Sequence, residues 1–177
     1  MHLCKVINPE YLDSYFSPSR YSDRTSGAMA ELSDVQDLIT YSDIYNGLRL
    51  DYEGTPFIKP GIDENAVMYA IRFTSDETED KIVKSVRDTI LDNAEWAYPY
   101  TGTGFISSAD ILDLTKVPGT PTKEGNLLIP EYFVLGKGSD AAMLNNGAEM
   151  YKITEQGDEI LYAIYNETKG VFTKIGE

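Results

Sequence analysis

The sequence is poor in cysteine and histidine, with one residue of each among its 177 residues. The single cysteine, Cys4, can form neither an internal disulfide nor a CxxC metal site. The single histidine, His2, excludes an HExxH helix and a multi-histidine zinc site, so we expect no metal. A Cys-His or Ser-His-Asp relay would have to use His2, beside a terminus that we expect to be frayed. Histidine-dependent hydrolysis is therefore disfavoured, whereas carboxylate, arginine and hydroxyl chemistry stays open.

Basic residues are also scarce. Lysine and arginine number 15 against 29 acidic residues, which gives a net charge of −14. Binding of nucleic acid or of an anionic membrane needs clustered positive charge, so neither is expected. Apolar runs such as Val67–Ile71 are too short to cross a bilayer. The N-terminal residues contain no long apolar stretch of the kind that a signal peptide needs. We expect a cytoplasmic protein, or one delivered to target cells by a specialised secretion route.

The composition supports a packed core, because 42% of the residues are hydrophobic and 11% are aromatic. The length fits one domain with an N-terminal extension. Residues 1–29 include a segment rich in Tyr, Ser, Pro and Asp, and we interpret them as an N-terminal arm. Residues 30–177 are predicted to form a single α+β domain.

The first half of the chain carries most of the helical patterns. Apolar residues at helical spacing predict a short helix over Ala30–Tyr41, and Tyr41–Arg49 can form a second one that ends near Gly47. An N-terminal capping signature and a longer apolar period predict the best helix of the chain over Glu77–Asn93.

Short runs of β-forming residues between turn sequences predict strands, most of them in the second half. The predicted strands are Val67–Phe73, Phe105–Ser108, Leu127–Leu135, Glu149–Ile153, Glu159–Tyr165 and Val171–Ile175. Helices followed by strands favour an α+β fold, with N-terminal helices and then a mixed, mostly antiparallel sheet of short strands.

Arg72 is the first candidate for chemistry. It lies in a strand among apolar residues, and a guanidinium held on rigid β-structure can bind a phosphate through two parallel hydrogen bonds. The alternative is an arginine on the solvated face of an edge strand.

The second candidate is the segment Tyr98–Ser108, with the sequence YPYTGTGFISS. Tyr98 and Tyr100 could stack on a flat base or nicotinamide ring. Gly102 and Gly104 would let the backbone approach a ligand before Phe105 begins a strand. The spacing fits neither a GxGxxG nor a Walker motif. The alternative is an ordinary tight turn.

The third candidate is Glu159, which opens an apolar strand after the acidic turn that begins at Glu155. A carboxylate at that position would lie at a sheet edge beside a cleft. The alternative is plain turn acidity in a chain with 29 acidic residues.

Together these features resemble the Arg-Ser-Glu class of ADP-ribosyltransferase toxins. Arg72 matches the family's NAD-binding arginine, Ser107 matches the central serine of its Ser-Thr-Ser element, and Glu159 matches its catalytic glutamate. The resemblance implies an ADP-ribosyltransferase-like fold with NAD as substrate and no metal. It places Tyr98, Tyr100, Gly102, Gly104 and Phe105 around the bound NAD.

The resemblance also implies a reaction and partners. The family's transferases carry Glu or Gln two residues before the catalytic glutamate, and Gly157 occupies that place here. The absence of Glu or Gln at that position favours simple NAD hydrolysis over protein modification. Phrases such as PYTGTGF are similar to C-terminal domains of bacterial polymorphic toxins. The resemblance thus implies a bacterial effector that cleaves NAD as a glycohydrolase or mono-ADP-ribosyltransferase, with a target protein or a cognate immunity protein as partner.

The charge supports a second hypothesis from another class. A small acidic protein can neutralise a basic toxin by electrostatic complementarity, and −14 on 177 residues suits an immunity protein or inhibitor. An acidic mimic of nucleic acid is a third interpretation. Carboxylates spread over one face would favour these binding functions. Convergence of Arg72, Ser107 and Glu159 in one cleft would favour the enzyme.

Overall fold

A computed structural model of the protein describes residues 1–48, 50–51, 54–75, 82–84, 132–134 and 141–176. Over these residues the fold is α+β with a mostly antiparallel sheet, as predicted. The described helices are few and do not precede the strands as expected, because three strands, His2–Val6, Arg24–Ser26 and Ala30–Glu31, come before the first α-helix at Leu32–Val35.

The main sheet of the described part has six strands. Along the chain they are β1 (His2–Val6), β3 (Ala30–Glu31), β4 (Val67–Thr74), β8 (Glu149–Thr154), β9 (Glu159–Asn166) and β10 (Val171–Lys174). Their order across the sheet is β10-β9-β8-β4-β1-β3, and every neighbouring pair is antiparallel. The strand β4 therefore lies in the interior of the sheet.

Two smaller antiparallel pairs complete the described β-structure. β2 (Arg24–Ser26) pairs with β7 (Ala141–Met143), and β5 (Ile82–Lys84) pairs with β6 (Tyr132–Val134). The described helices are α1 (Leu32–Val35), α2 (Tyr41–Gly47) and a 3-10 helix over Pro9–Tyr15.

Alternating side chains of β4 supply both faces of the sheet, as the period of two requires. On one face Ile71 and Phe73 belong to a large buried cluster, which we call the main buried cluster. It also includes Leu3, Ile7, Tyr15, Met150, Ala163, Tyr165 and Phe172. On the other face Met68 and Ala70 lie in a second cluster, with Ile44 and Tyr45 of α2. Arg72 follows Met68 and Ala70 along this α2-side face.

The N-terminus of α2 is fixed twice. Thr40 and Asp43 form a reciprocal capping box, which satisfies backbone N–H groups that the helix leaves unpaired. Glu155 adds a contact from the turn after β8, because its carboxylate accepts hydrogen bonds from the backbone N–H of Ser42 (2.9 Å) and from the Ser42 hydroxyl (2.6 Å). This contact connects α2 to the turn that leads into Glu159.

Several expected elements are confirmed. The strands predicted at Val67–Phe73, Glu149–Ile153, Glu159–Tyr165 and Val171–Ile175 match β4, β8, β9 and β10 within one residue at either end. The second predicted helix matches α2, which ends at Gly47. Runs of β-forming residues bounded by short turns, and apolar residues at helical spacing, carry enough local information to specify these elements.

The first and third predicted helices are wrong where the structure describes them. Ala30–Tyr41 contains only the single turn α1, because Ala30 pairs with Cys4 in the sheet instead. Within Glu77–Asn93, the residues Ile82–Lys84 form β5, and the rest of that range lies outside the described residues. In both places a tertiary strand pairing overrides a local helical period.

The expected frayed N-terminus is also wrong. His2–Val6 is an inner strand of the sheet, bonded to β4 on one side and to β3 on the other. The segment 1–29, predicted as an arm, contributes Leu3, Ile7, Tyr15 and Met29 to the main buried cluster.

No helix in the described part of the chain is long and apolar enough to cross a bilayer.

Candidate functional site

Arg72 lies near the end of β4, where Cys4 of β1 and Glu149 of β8 are its partners in register. Because β4 is hydrogen-bonded to β1 on one side and to β8 on the other, the alternative of an arginine on an edge strand is wrong. The Arg72 side chain retains 21% of its exposure. An interior strand therefore holds the guanidinium at a partly open position.

Glu159 is the first residue of β9 and pairs in register with Ile153 of β8. Nη2 of Arg72 donates a hydrogen bond to Oε1 of Glu159, so the two side chains form an ion pair across β8. The Glu159 side chain retains 26% of its exposure. Two of the three predicted catalytic residues are thus in direct contact, although 87 positions separate them in the chain.

A β-bulge determines on which face Glu159 lies. Met150 pairs with Ala163, but the next residue, Tyr151, pairs with Leu161, so Tyr162 is the extra residue in β9. Bulges of this kind redirect side chains and are common beside active sites. Ala163 consequently faces the main buried cluster, while Glu159 shares the α2-side face with Arg72.

Tyr151 lies beneath the ion pair. The Cζ atom of Arg72 is 4.4 Å from the centroid of the Tyr151 ring, within the range of a cation–π contact. The Tyr151 hydroxyl donates a 2.7 Å hydrogen bond to Oε2 of Glu149. Arg72, Glu159, Tyr151 and Glu149 therefore form one connected cluster, which we call the Arg72 cluster.

The cluster shifts two pKa values. Burial acts to lower the pKa of Arg72, but its hydrogen bond and charge interaction with Glu159 outweigh burial and leave the pKa above its ordinary value. Burial, and then the hydrogen bond to Glu149, raise the pKa of Tyr151. At neutral pH the cluster therefore contains a guanidinium cation and a protonated phenol.

A groove of about 300 Å³ opens beside the cluster. Arg72, Tyr151 and Glu149 line it, and His2, Thr74 and Asn145 are among its other polar residues. The groove is mostly polar, and its wall carries the Arg72 cation as well as the Glu149 carboxylate. It can therefore receive a small polar ligand that hydrogen-bonds to Arg72.

Cys4 lies beside Arg72 but is not suited to nucleophilic chemistry. The thiol is buried at 8% exposure, and burial raises its pKa to about 11. A thiol with that pKa is almost fully protonated at neutral pH, and the thiolate is the reactive form. His2 contacts the hydroxyl of Thr74 at 3.2 Å instead. A Cys-His relay is therefore disfavoured by the structure as well as by the sequence.

The remaining predicted site residues lie outside the described part of the chain. They are Ser107, Tyr98, Tyr100, Gly102, Gly104 and Phe105. Among the residues that are described, no group of three or more His, Cys, Asp or Glu side chains is placed to hold a metal ion.

Sequence reasoning missed Tyr151 and Glu149. Both lie on β8 at positions i and i+2, so a single strand face carries the two side chains. The pattern Glu-x-Tyr in GAEMYKI contained this information. It could not be connected to Arg72 without knowing that β8 pairs with β4.

Comparison of the chain with protein-family models, with curated proteins and with solved structures gave no match.

Proposed function

We propose that this protein is a bacterial effector domain that cleaves NAD at the bond between nicotinamide and ribose. The observation that carries the proposal is the contact of Glu159 with Arg72, a residue that lines a polar groove. A fixed cation beside a fixed anion suits a substrate that carries a diphosphate and develops positive charge on its ribose during the reaction.

Arg72 would bind the diphosphate of NAD. The guanidinium can form two parallel hydrogen bonds with phosphate oxygens, and the raised pKa of Arg72 keeps it charged. A phosphate entering the groove would compete with Glu159 for the guanidinium. Substrate binding would then release the Glu159 carboxylate from its partner and leave it available to the ribose.

Glu159 would stabilise the transition state. When the glycosidic C–N bond breaks, nicotinamide leaves with the electron pair and positive charge develops on the ribose. A carboxylate held nearby lowers the energy of this state more than that of the ground state. Water then forms the new C–O bond and loses a proton, which gives ADP-ribose and free nicotinamide. In a transferase, a nucleophile on a target protein would replace the water.

The same proposal includes an ADP-ribosyltransferase-like fold. An ADP-ribosyltransferase-like fold would place the arginine, the serine and the glutamate on three successive β-elements. The interior position of β4 and the placement of Glu159 at the start of β9 support that arrangement. Ser107 would complete it from outside the described residues.

Glu159→Gln tests the proposal because it removes the charge and keeps the shape. We expect NAD hydrolysis to fall by about 10²–10³, the usual effect of removing one well-aimed electrostatic group, with an unchanged thermal midpoint. The matched control is Glu64→Gln, which removes one exposed acidic charge away from the site and should leave hydrolysis unchanged. Equal hydrolysis by the wild type and Glu159→Gln would contradict the proposal, as would a wild type that consumes no NAD.

The acidic inhibitor is retained as a second candidate because of one observation. Exposed carboxylates are spread over the described surface; they include Glu10, Asp34, Asp37, Asp63, Glu64, Asp158 and Glu167. Such a surface suits a basic protein partner. Its signature would be binding to a basic toxin that weakens strongly with added salt, together with no NAD consumption by the purified protein.

A further inference from the structure

Arg72 reaches past the carboxylate that lies closest to it in the sheet. Its partner in register on β8 is Glu149, whereas Glu159 lies one strand further away, opposite Ile153. A long, flexible arginine would ordinarily pair with an adjacent cross-strand carboxylate. Something in the site must therefore favour the more distant partner.

Tyr151 has both contacts that such a preference needs. Its ring lies under the guanidinium, with 4.4 Å between Cζ and the ring centroid, along the path from Arg72 to Glu159. Its hydroxyl donates a 2.7 Å hydrogen bond to Oε2 of Glu149 and so occupies an oxygen of the competing carboxylate. In the described part of the chain, the buried Nε of Arg72 has no hydrogen-bond partner. No hydrogen bond through Nε therefore orients the guanidinium, and its contact with the Tyr151 ring matters more for that orientation.

We infer that Tyr151 is the positioning residue of this site: its ring directs the Arg72 guanidinium across β8, and its hydroxyl engages Glu149 so that Arg72 pairs with Glu159. Tyr151 itself does not touch the reacting atoms in this scheme. The choice between two carboxylates for one guanidinium is thus made by a tyrosine on β8, the strand that also carries Glu149.

The inference predicts an asymmetric set of variants. Tyr151→Phe keeps the ring and releases Glu149, so Arg72 should divide its time between the two carboxylates. Tyr151→Leu removes the ring as well and should have the larger effect. Glu149→Gln removes the competing charge, so adding it to Tyr151→Phe should restore the pairing with Glu159.

Nuclear magnetic resonance of the ¹⁵N-labelled arginine side chain measures this pairing without any substrate. A guanidinium held by a carboxylate rotates slowly about its C–N bonds, and the double variant Glu149→Gln/Glu159→Gln supplies the reference for an unheld Arg72. We expect the rotation rate to rise about 3- to 10-fold in Tyr151→Phe, the scale of one lost weak contact. The rate should return to the wild-type value in Tyr151→Phe/Glu149→Gln. The matched control is Tyr11→Phe, which removes a hydroxyl from an exposed tyrosine.

Two results would overturn the inference: wild-type rotation in both Tyr151→Phe and Tyr151→Leu, or failure of Glu149→Gln to restore Tyr151→Phe. If Tyr151→Leu does not fold, Tyr151→Phe and the double variant still decide the question. An activity measurement rests on the proposed function and is separate. There we expect kcat for NAD to fall about 3- to 10-fold in Tyr151→Phe and to recover in the double variant. A wild type without NAD hydrolysis would contradict the proposed function, while the resonance data would still decide the role of Tyr151.

Discussion

Arg72 lies opposite Glu149 in the register of the sheet, yet its guanidinium pairs with Glu159 on the strand beyond. The pair connects two of the strands that carry the predicted site, and its Arg72 lines the polar groove. A substitution of Arg72 should therefore distinguish the effect of its positive charge from the effect of its guanidinium shape.

Arg72→Lys keeps the positive charge but loses the planar fork and the stacking surface. We expect NAD hydrolysis to fall by about 10² or more, because a lysine cannot reproduce a bidentate, ring-stacked guanidinium. Steady-state hydrolysis and thermal unfolding of the same preparation measure the effect. The matched control is Arg24→Lys, since Arg24 pairs with its sequence neighbour Asp23. Equal losses in both variants would mean that the effect is not specific to the site.

Gly157 should resist substitution for a backbone reason. It lies in the turn between β8 and β9 with a φ of +80°, a conformation that side chains with a Cβ rarely adopt. A Cβ would meet Thr40 Cγ2 at 3.7 Å, an ordinary contact, so the cost is in the backbone. We expect Gly157→Ala to lower the free energy of unfolding by about 1–2 kcal/mol. Urea denaturation measures this.

Gly157→Asn is the comparison for that prediction, because asparagine tolerates the left-handed region better than alanine does. It should cost less than Gly157→Ala, and the reverse order would contradict the backbone explanation. The same backbone strain would disfavour Glu or Gln here, the residues that transferases of the Arg-Ser-Glu class carry at this position.

Cys4 should react slowly with thiol reagents in the folded protein. Its pKa is raised from 9.0 to about 11, so the thiolate fraction at pH 8 is about 100-fold lower than in the unfolded chain. We expect alkylation at pH 8 to be slower by at least that factor than in 6 M guanidinium chloride. Mass spectrometry of samples quenched over time measures both rates. Similar rates in the two conditions would show that the thiol is accessible.

The same shift gives stability a defined pH dependence. The folded chain holds the Cys4 proton more tightly than the unfolded chain, so this contribution is complete below pH 9 and is lost as pH rises toward about 11. Unfolding free energies of the wild type and Cys4→Ala, compared over pH 8–11, should show a difference that shrinks with pH. Shifts shared by both proteins, such as those of the tyrosines, cancel in that comparison.

Glu155, which lies in the turn after β8, should stabilise the N-terminus of α2. Its carboxylate accepts two hydrogen bonds from Ser42 at the helix N-terminus, where the negative charge also complements the helix dipole. We expect Glu155→Ala to lower the free energy of unfolding by about 0.5–2 kcal/mol, as for loss of a cap. Urea denaturation compares it with Asp158→Ala, an exposed acidic residue of the same turn. Equal effects of the two substitutions would contradict a specific cap.

Much of the β-structure followed from the sequence alone. β-forming residues and flanking turns specified β4, β8, β9 and β10 because each of these strands is bounded by its own local signals. The absence of a second histidine or cysteine, the acidic charge and the choice of Arg72 and Glu159 as candidates also required only the sequence.

The tertiary structure decided which of these candidates meet. Strict alternation back from Tyr165 would place Glu159 on the same face as Tyr165, opposite to the face that carries Arg72. The bulge at Tyr162 reverses that assignment and turns Glu159 toward the guanidinium. Pairing of β8 with β4 then places Tyr151 under the contact. Residue order determines strands through local propensity, but a bulge and a strand partner arise from the packing of the whole sheet, which no local pattern encodes.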